Sequence, residues 1–353
     1  MGDIRADDSQ VTRPSYLGWL ASETPTTWWL DSGDPEALHQ ALYHDATGVT
    51  TNPVLCYQAL CARPALWRPL AGKLTGLAPA ERAEALTRAV VTHAAASLCG
   101  EYRHSDGAAG YVCAQVNPAH AANREAMLAA ARRYAGWAPN VAVKLPVTVA
   151  GLNVLEECAV EGITVTATVS FTLPQVIAVA DRHRRGVARA HAAGRAPGRC
   201  FAVLMVGRLD DYIREVARDS GARAAEEDIR LAGLAVTKRA DAIFRAEGYE
   251  AVLLVAALRG DYHITALAGA RLVISVPPRN QAALLKADPP RVACASLPVP
   301  EDAVRRLCTI REFARAYAPD GMRPEEFISY GPTQRTLSQF EYAGWSLLEG
   351  LAL

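Results

Sequence analysis

The sequence predicts a closed (β/α)8 barrel, an α/β fold in which helices surround eight parallel strands. Short runs rich in β-branched residues and apolar on consecutive positions recur along the chain, as is typical of strands buried on both faces. Longer segments with helical spacing separate these runs, and eight strands are the number that closes a TIM barrel. The same alternation leaves a doubly wound open sheet as the alternative.

Length and composition agree with one such barrel. The chain has 353 residues, which suits an α/β barrel of ~250 residues with additional segments. Half of the residues are hydrophobic, enough for a large core. We therefore expect a single domain over 1–353, with a barrel core at about 26–286 and a helical C-terminal extension at 287–353.

Charge and hydropathy limit the partners. Lys plus Arg total 37 and Asp plus Glu total 37, and this balance argues against nucleic acid or an acidic membrane as the main partner. The longest apolar run, residues 251–258, is far shorter than the ~20 residues of a membrane span. Residues 1–10 are polar and predict no secretory signal. Eight cysteines without CxxC pairs fit reduced thiols in the cytoplasm.

The eight predicted strands share a short apolar pattern. In chain order they are Thr27–Asp31, Gly48–Asn52, Tyr111–Val116, Val141–Leu145, Ile163–Thr168, Cys200–Met205, Ala251–Ala256 and Arg271–Val276.

Helix signals fall between the strands. Asp34-Pro35-Glu36 combines an N-cap carboxylate with a first-turn proline, and Asn117-Pro118 predicts a second helix start of the same kind. Apolar residues recur at helical spacing over 148–161, where Gly162 follows as the stop. Two longer helical insertions are expected at 54–104 and 209–248. The tail is helical at 301–317, and its last apolar segment, 340–351, should pack back on the barrel.

Polar residues at the strand ends are the informative ones, because barrel enzymes carry their catalytic groups there. Lys144 lies within the apolar strand Val141–Leu145, where a charged side chain is costly unless it is paired or neutral. A lysine amine attacks a carbonyl only in its neutral form, and desolvation favours that form. Lys144 is therefore a candidate for Schiff-base formation. The alternative is a strand-end lysine that reaches solvent or pairs with Asp31.

Three more charged residues complete this hypothesis. Asp31 ends the first strand and is a candidate to take a proton from a substrate hydroxyl as a carbon–carbon bond breaks, since Asp34 already fills the helix-cap role. Arg208 and Arg259 follow strands six and seven and are candidates to bind a phosphate. Their alternative role is that of ordinary surface charges. Motifs for dinucleotides, P-loops, zinc proteases and serine hydrolases are absent from the sequence.

Five segments together resemble the transaldolase family, in the same order and spacing. The resemblance covers about 28–286 and is most specific in Thr-Thr-Asn-Pro combined with the strand-four lysine. The segments are Leu30-Asp31-Ser32-Gly33-Asp34, Gly48-Val49-Thr50-Thr51-Asn52-Pro53, Val143-Lys144-Leu145-Pro146 with Gly151-Leu152, Glu161-Gly162-Ile163, and Val206-Gly207-Arg208-Leu209-Asp210.

The resemblance implies roles for individual residues. Lys144 matches the Schiff-base lysine, and Asp31 matches the carboxylate that moves the proton of the C4 hydroxyl. Asn52 matches the amide that holds the dihydroxyacetone hydroxyls, with Thr51 and Thr166 assigned to substrate binding beside it. Thr168 matches the threonine that positions a catalytic water, and Arg208 and Arg259 match the phosphate-binding pair.

The sequence also departs from the family pattern. Gln115 lies where transaldolases usually have Glu and fructose-6-phosphate aldolases have Gln, and it cannot exchange a proton as Glu can. Thr166 replaces an asparagine. Val203 and Ala257 replace two serines near the phosphate, and Met205 replaces an aromatic residue. The sequence therefore supports Schiff-base chemistry at Lys144 better than it supports any particular substrate.

The leading hypothesis is an enzyme that transfers a dihydroxyacetone unit between a ketose, or ketose phosphate, and an aldose. An aldolase of a specialised pathway acting on an unusual aldehyde is one alternative, and an inactive sugar-phosphate-binding barrel is another. No metal or other cofactor is expected, because the imine itself withdraws electrons. The expected partner is a small sugar or sugar phosphate, with neither nucleic acid nor membrane, and homo-oligomerisation is left open.

Overall fold

The computed structural model describes residues 14–222 and 224–352. The polar stretch 1–10, on which the signal-sequence prediction depends, lies outside them. All eight predicted strands are present and pair in parallel in chain order, and β8 closes on β1. The structure thus confirms the predicted closed barrel, and the alternative of a doubly wound open sheet is wrong. The strands are β1 Thr27–Asp31, β2 Gly48–Thr50, β3 Tyr111–Gln115, β4 Val141–Pro146, β5 Val165–Thr168, β6 Cys200–Met205, β7 Val252–Ala256 and β8 Val273–Val276.

Helices cover the outside of the barrel. In chain order they are α1 Tyr16–Glu23, α2 Pro35–Tyr43, α3 Pro53–Ala62, α4 Pro64–Trp67, α5 Ala71–Leu74, α6 Pro79–His104, α7 Arg124–Ala135, α8 Val149–Val160, α9 Leu173–Ala192, α10 Val206–Ser220, α11 Glu226–Ile229, α12 Ala232–Glu247, α13 Tyr262–Thr265, α14 Pro278–Ala287, α15 Glu301–Leu307, α16 Arg311–Tyr317, α17 Gly331–Phe340 and α18 Ser346–Gly350. Short 3-10 turns lie at Arg68–Leu70, Pro118–His120 and Pro324–Glu326, and a π-helical turn lies at Glu341–Trp345. None of the described helices is long and apolar enough to cross a membrane.

Local capping explains where several elements begin. Asp34 Oδ1 accepts hydrogen bonds from the backbone N–H groups of Glu36 and Ala37 at 2.9 and 3.0 Å, as its sequence context predicts. Asn52 caps α3 in the same way, so β2 ends at Thr50 rather than at Asn52. The helix predicted to start at Asn117-Pro118 was misplaced. Asn117 caps only a 3-10 turn, and α7 begins at Arg124.

Aromatic side chains fill the lower part of the barrel, near the N-terminal ends of the strands. Trp29 lies edge-on to Phe201, with their ring centroids 4.6 Å apart, and Tyr111 packs beside both rings. A Cβ on Gly48 would lie 2.6 Å from the Trp29 indole, so this position of β2 requires glycine. These rings close the barrel from below and leave its C-terminal end as the site of the polar groups.

The C-terminal segment packs on the barrel, as predicted. Trp345 and Leu348 are buried in a hydrophobic cluster with Leu60 of α3 and Leu86 of α6. A Cβ on Gly344 would lie 2.7 Å from the Cβ of Pro53 and from the backbone nitrogen of Val54. The π-helical turn therefore touches the start of α3 directly, immediately after Asn52.

We expect Trp345→Ala to lower the free energy of unfolding by about 3–5 kcal/mol, the usual cost of removing a buried aromatic side chain. Trp345 is 3% exposed, whereas Tyr342, on the same turn, is 72% exposed. Tyr342→Ala is the matched control and should change stability by no more than about 0.5 kcal/mol. Denaturant unfolding of both variants is the measurement, and equal effects would contradict the packing of this segment on the barrel.

Candidate active site

A cavity of about 470 Å³ opens at the C-terminal ends of the strands. Six of the nine predicted site residues line it: Asp31, Asn52, Lys144, Thr168, Arg208 and Arg259. A larger cavity of about 900 Å³ lies at the opposite end, beside the first residues of the strands. Because barrel enzymes carry their chemistry at the C-terminal ends, we take the smaller cavity as the candidate active site.

Lys144 is buried on β4 and only 5% exposed. Its Nζ donates a hydrogen bond to the backbone carbonyl of Thr51 at 3.0 Å. The Thr51 hydroxyl, which was predicted to bind substrate, donates instead to the Cys113 carbonyl at 2.6 Å inside the barrel. The backbone carbonyl of Thr51 thus helps to position the Lys144 amine, while the Thr51 hydroxyl is hydrogen-bonded to Cys113.

Asp31 lies at the end of β1 with a short hydrogen-bonded chain behind it. Thr50 donates its hydroxyl proton to Asp31 Oδ1 at 2.8 Å, and the Thr50 hydroxyl in turn contacts the Ser275 hydroxyl. Burial raises the pKa of the Asp31 carboxyl above its ordinary value, while Lys144 and the two hydroxyls oppose that rise. The carboxyl is thus held at a place where protonation is easier than in water.

Asn52 offers one polar group to the cavity. Its Oδ1 accepts a hydrogen bond from the backbone N–H of Leu55 at 3.0 Å, in its role as cap of α3. The amide NH2 group is the part of this side chain that can donate to a substrate hydroxyl.

Two polar side chains near Lys144 have unsatisfied atoms. Gln115 is a register neighbour of Lys144 on β3, and Thr168 lies at the end of β5. Within the described residues, Gln115 Oε1 and the Thr168 hydroxyl are buried without a hydrogen-bond partner. An unpaired buried polar atom costs about 1–3 kcal/mol, so both atoms favour a site that takes up water or substrate. Thr166, also beside Lys144, contacts the Cys113 thiol at 3.3 Å instead.

The two arginines already have acceptors from the chain. Arg208 donates from Nη2 to Gln339 Oε1 at 2.6 Å, and its guanidinium carbon lies 5.6 Å from the Phe340 ring centroid. Burial, followed by repulsion from Arg259, lowers the pKa of Arg208 to about 10. Arg259 forms an ion pair with Asp211, in which Nε and Nη2 lie 2.8 and 2.7 Å from Oδ2. Both guanidinium groups still line the cavity.

Several residues of this mouth were not found from sequence. Ser275 lies inside the apolar run of β8, and only its polar side chain in that run was a signal. Arg279, Gln339 and Phe340 line the cavity from α14 and α17. Asp211 follows Arg208 by three positions, yet its partner is Arg259, 48 residues away. No short-range pattern indicates such contacts.

We expect the stability of Asp31→Asn relative to the wild type to increase as pH rises from about 4 towards neutrality. The pKa of Asp31 is raised by folding, so the native state keeps this proton where the unfolded chain has lost it, above a pKa of ~3.9. Ionisation of the buried carboxyl then costs stability, and Asn cannot ionise.

Urea unfolding at a series of pH values measures this difference. Asp320→Asn, which alters an exposed carboxylate, is the control. A stability difference that shrinks as pH rises would mean that the folded protein stabilises the ionised form of Asp31.

Comparison with known proteins places the chain in a family. Residues 28–320 match the family described as Transaldolase/Fructose-6-phosphate aldolase. Transaldolase 1 of Streptomyces coelicolor is 35% identical over 233 residues, which cover 64% of this chain and 58% of that protein. The transaldolase of Thermobifida fusca is 31% identical over 227 residues, 60% of each chain, and that of Neisseria meningitidis serogroup C is 28% identical over 242 residues, 65% of each. The chain thus spans less than two thirds of the length of these curated relatives. It belongs to the transaldolase/fructose-6-phosphate aldolase family.

Proposed function

We propose that the protein is a transaldolase-type class I aldol enzyme that acts through an imine on Lys144. The observation that carries this proposal is a buried amine in the same barrel mouth as a carboxyl whose pKa is raised, with both groups lining one cavity. The amine attacks the ketone carbon of a ketose and water leaves, which forms the imine. Family membership supports the same chemistry.

Asp31 is assigned the proton transfer that cleaves the sugar. Its carboxylate takes the proton of the C4 hydroxyl as the bond between C3 and C4 breaks, and the electron pair of that bond moves into the imine as an enamine. The aldehyde leaves, and a three-carbon dihydroxyacetone unit remains on Lys144. Attack of this enamine on a new aldose completes the transfer. The imine is the electron sink, so the proposal includes no metal or other cofactor.

The remaining residues are assigned to binding and water. Asn52 donates its amide to the dihydroxyacetone hydroxyls, with Thr51 and Thr166 beside it in the barrel. Gln115 and Thr168 hold the water that hydrolyses the imine, and their unpaired buried atoms support this assignment. Arg208 and Arg259 bind the phosphate of a sugar phosphate. We further propose that 1–353 act as a single domain in the cytoplasm.

Borohydride reduction in the presence of fructose 6-phosphate or dihydroxyacetone tests the imine. We expect a covalent adduct that mass mapping places on Lys144, and we expect none in Lys144→Met. Lys286 is exposed on α14, and Lys286→Met is the matched control that should keep the adduct. An unchanged label in Lys144→Met would overturn the proposal, and a chain that gives no adduct with any ketose would favour a binding protein.

We expect Gln115→Glu to raise the turnover of the transfer reaction. Gln115 can hold a water but cannot exchange a proton with it, and general acid–base assistance is typically worth ~10²–10⁴-fold. The assay uses fructose 6-phosphate with erythrose 4-phosphate and scores sedoheptulose 7-phosphate against released dihydroxyacetone.

Gln58→Glu is the control for this substitution, because Gln58 is exposed and lines the candidate active-site cavity from α3, whereas Gln115 is the buried register neighbour of Lys144. It adds the same charge at an exposed position that is not a register neighbour of Lys144 and should give no gain. If Gln115→Glu is inert or inactive while the wild type turns over rapidly, a residue other than Gln115 exchanges the proton with the water that hydrolyses the imine.

A further inference from the structure

The two arginines proposed to bind phosphate already form hydrogen bonds with acceptors of the protein itself. Arg208 binds the side-chain oxygen of Gln339 at 2.6 Å, and Arg259 binds the carboxylate of Asp211. A phosphate that bound Arg208 Nη2, or Arg259 Nε and Nη2, would compete with these acceptors, since both guanidinium groups line the cavity that contains Lys144. Arg208 Nε is buried and has no hydrogen-bond partner among the described residues. Neither Val203 nor Ala257, which lie close by in sequence, brings a hydroxyl to assist.

Packing fixes the position from which Gln339 reaches Arg208. It is the penultimate residue of α17, and the next residue, Phe340, is 2% exposed. The π-helical turn Glu341–Trp345 follows and is held against Pro53 through Gly344. Single π-helical turns within helices often mark functional sites. The backbone at Gln339 is thus well anchored, while its own side chain is exposed and can leave Arg208.

We propose that Gln339 is a specificity-determining residue that competes with a substrate phosphate for Arg208. This proposal rests on the proposed function and deepens it. A phosphate dianion is a stronger acceptor for a guanidinium than a neutral amide, so a phosphorylated sugar displaces Gln339 but loses part of its binding energy in doing so. The negative charge of Asp211 beside Arg259 acts in the same direction. The substrates are therefore sugars whose far end is accepted with or without phosphate, with little discrimination between the two.

The opposite role for Gln339 makes the opposite prediction. Its amide nitrogen is a hydrogen-bond donor, and if it turned towards a bound phosphate it would add affinity rather than remove it. Substitution separates the two roles, because removing a competitor tightens phosphate binding and removing a ligand weakens it.

The first experiment measures the affinity of the full chain for inorganic phosphate by calorimetry. We expect Gln339→Ala to tighten binding by about three- to tenfold, because a hydrogen bond that competes for a charged group is lost. Gln339→Glu should weaken binding by about tenfold or more, because a carboxylate then forms an ion pair with Arg208. Gln334→Ala, on the same helix and likewise exposed, is the control and should leave the affinity unchanged.

The second experiment compares the KM for fructose 6-phosphate with the KM for fructose in the same variants. The KM for fructose 6-phosphate divided by the KM for fructose should fall in Gln339→Ala and rise in Gln339→Glu. Unchanged or weaker phosphate binding in Gln339→Ala would overturn the proposal for Gln339. Absence of a Lys144 adduct, with the phosphate affinities shifted as expected, would instead overturn the proposed function and leave the competition at Arg208 intact.

Discussion

The site depends on one constraint, which is the burial of an amine in the barrel wall. Lys144 lies on β4 between Val143 and Leu145, and its neighbours leave it 5% exposed. Burying a cation is costly unless it is paired and hydrogen-bonded, and the acceptor that meets its Nζ is the neutral carbonyl of Thr51. That carbonyl is in place because β2 ends at Thr50 and Asn52 caps α3, which begins at Pro53. The strand end, the helix cap and the amine are therefore parts of one arrangement.

Two non-glycine residues that follow strands β5 and β7 have a strained, left-handed backbone conformation. Val169 follows Thr168 with φ of +56°, and Ala257 precedes the Arg259 turn with φ of +60°. Left-handed conformations of non-glycine residues cost of the order of 1–3 kcal/mol each and persist only where the surroundings impose them. Here, a side chain binds the carbonyl of each strained residue. Gln175 donates to Val169 O at 3.3 Å, and Arg259 donates to Ala257 O at 2.8 Å. Arg259 thus contributes to its own loop as well as to the cavity.

The sequence predicted the barrel well, because buried parallel strands have a local signature. β1 and β6 begin and end where the apolar pattern places them, and the other strands differ from their predicted bounds by one or two residues at one end. Lys144 and Asp31 were identifiable because each is a charged residue in or at the end of such a strand. Gln339 was not, since it reaches Arg208 across 131 residues of sequence and lies on a helix with an ordinary amphipathic pattern. Tertiary packing decides such contacts, and no local pattern in a single sequence indicates which distant residues will meet.

The contact of the C-terminal segment with α3 has a consequence for synthesis on the ribosome. Synthesis runs from the N-terminus, and β8 ends at Val276, well before Gln339 and Gly344. All eight strands are therefore synthesised before the residues that form one wall of the cavity. During that interval the start of α3 and the buried faces of Leu60 and Leu86 lack the cover that Trp345 and Leu348 later provide. The C-terminal wall of the mouth is thus the last part of the site to be synthesised, and the apolar surface of α3 and α6 stays uncovered until then.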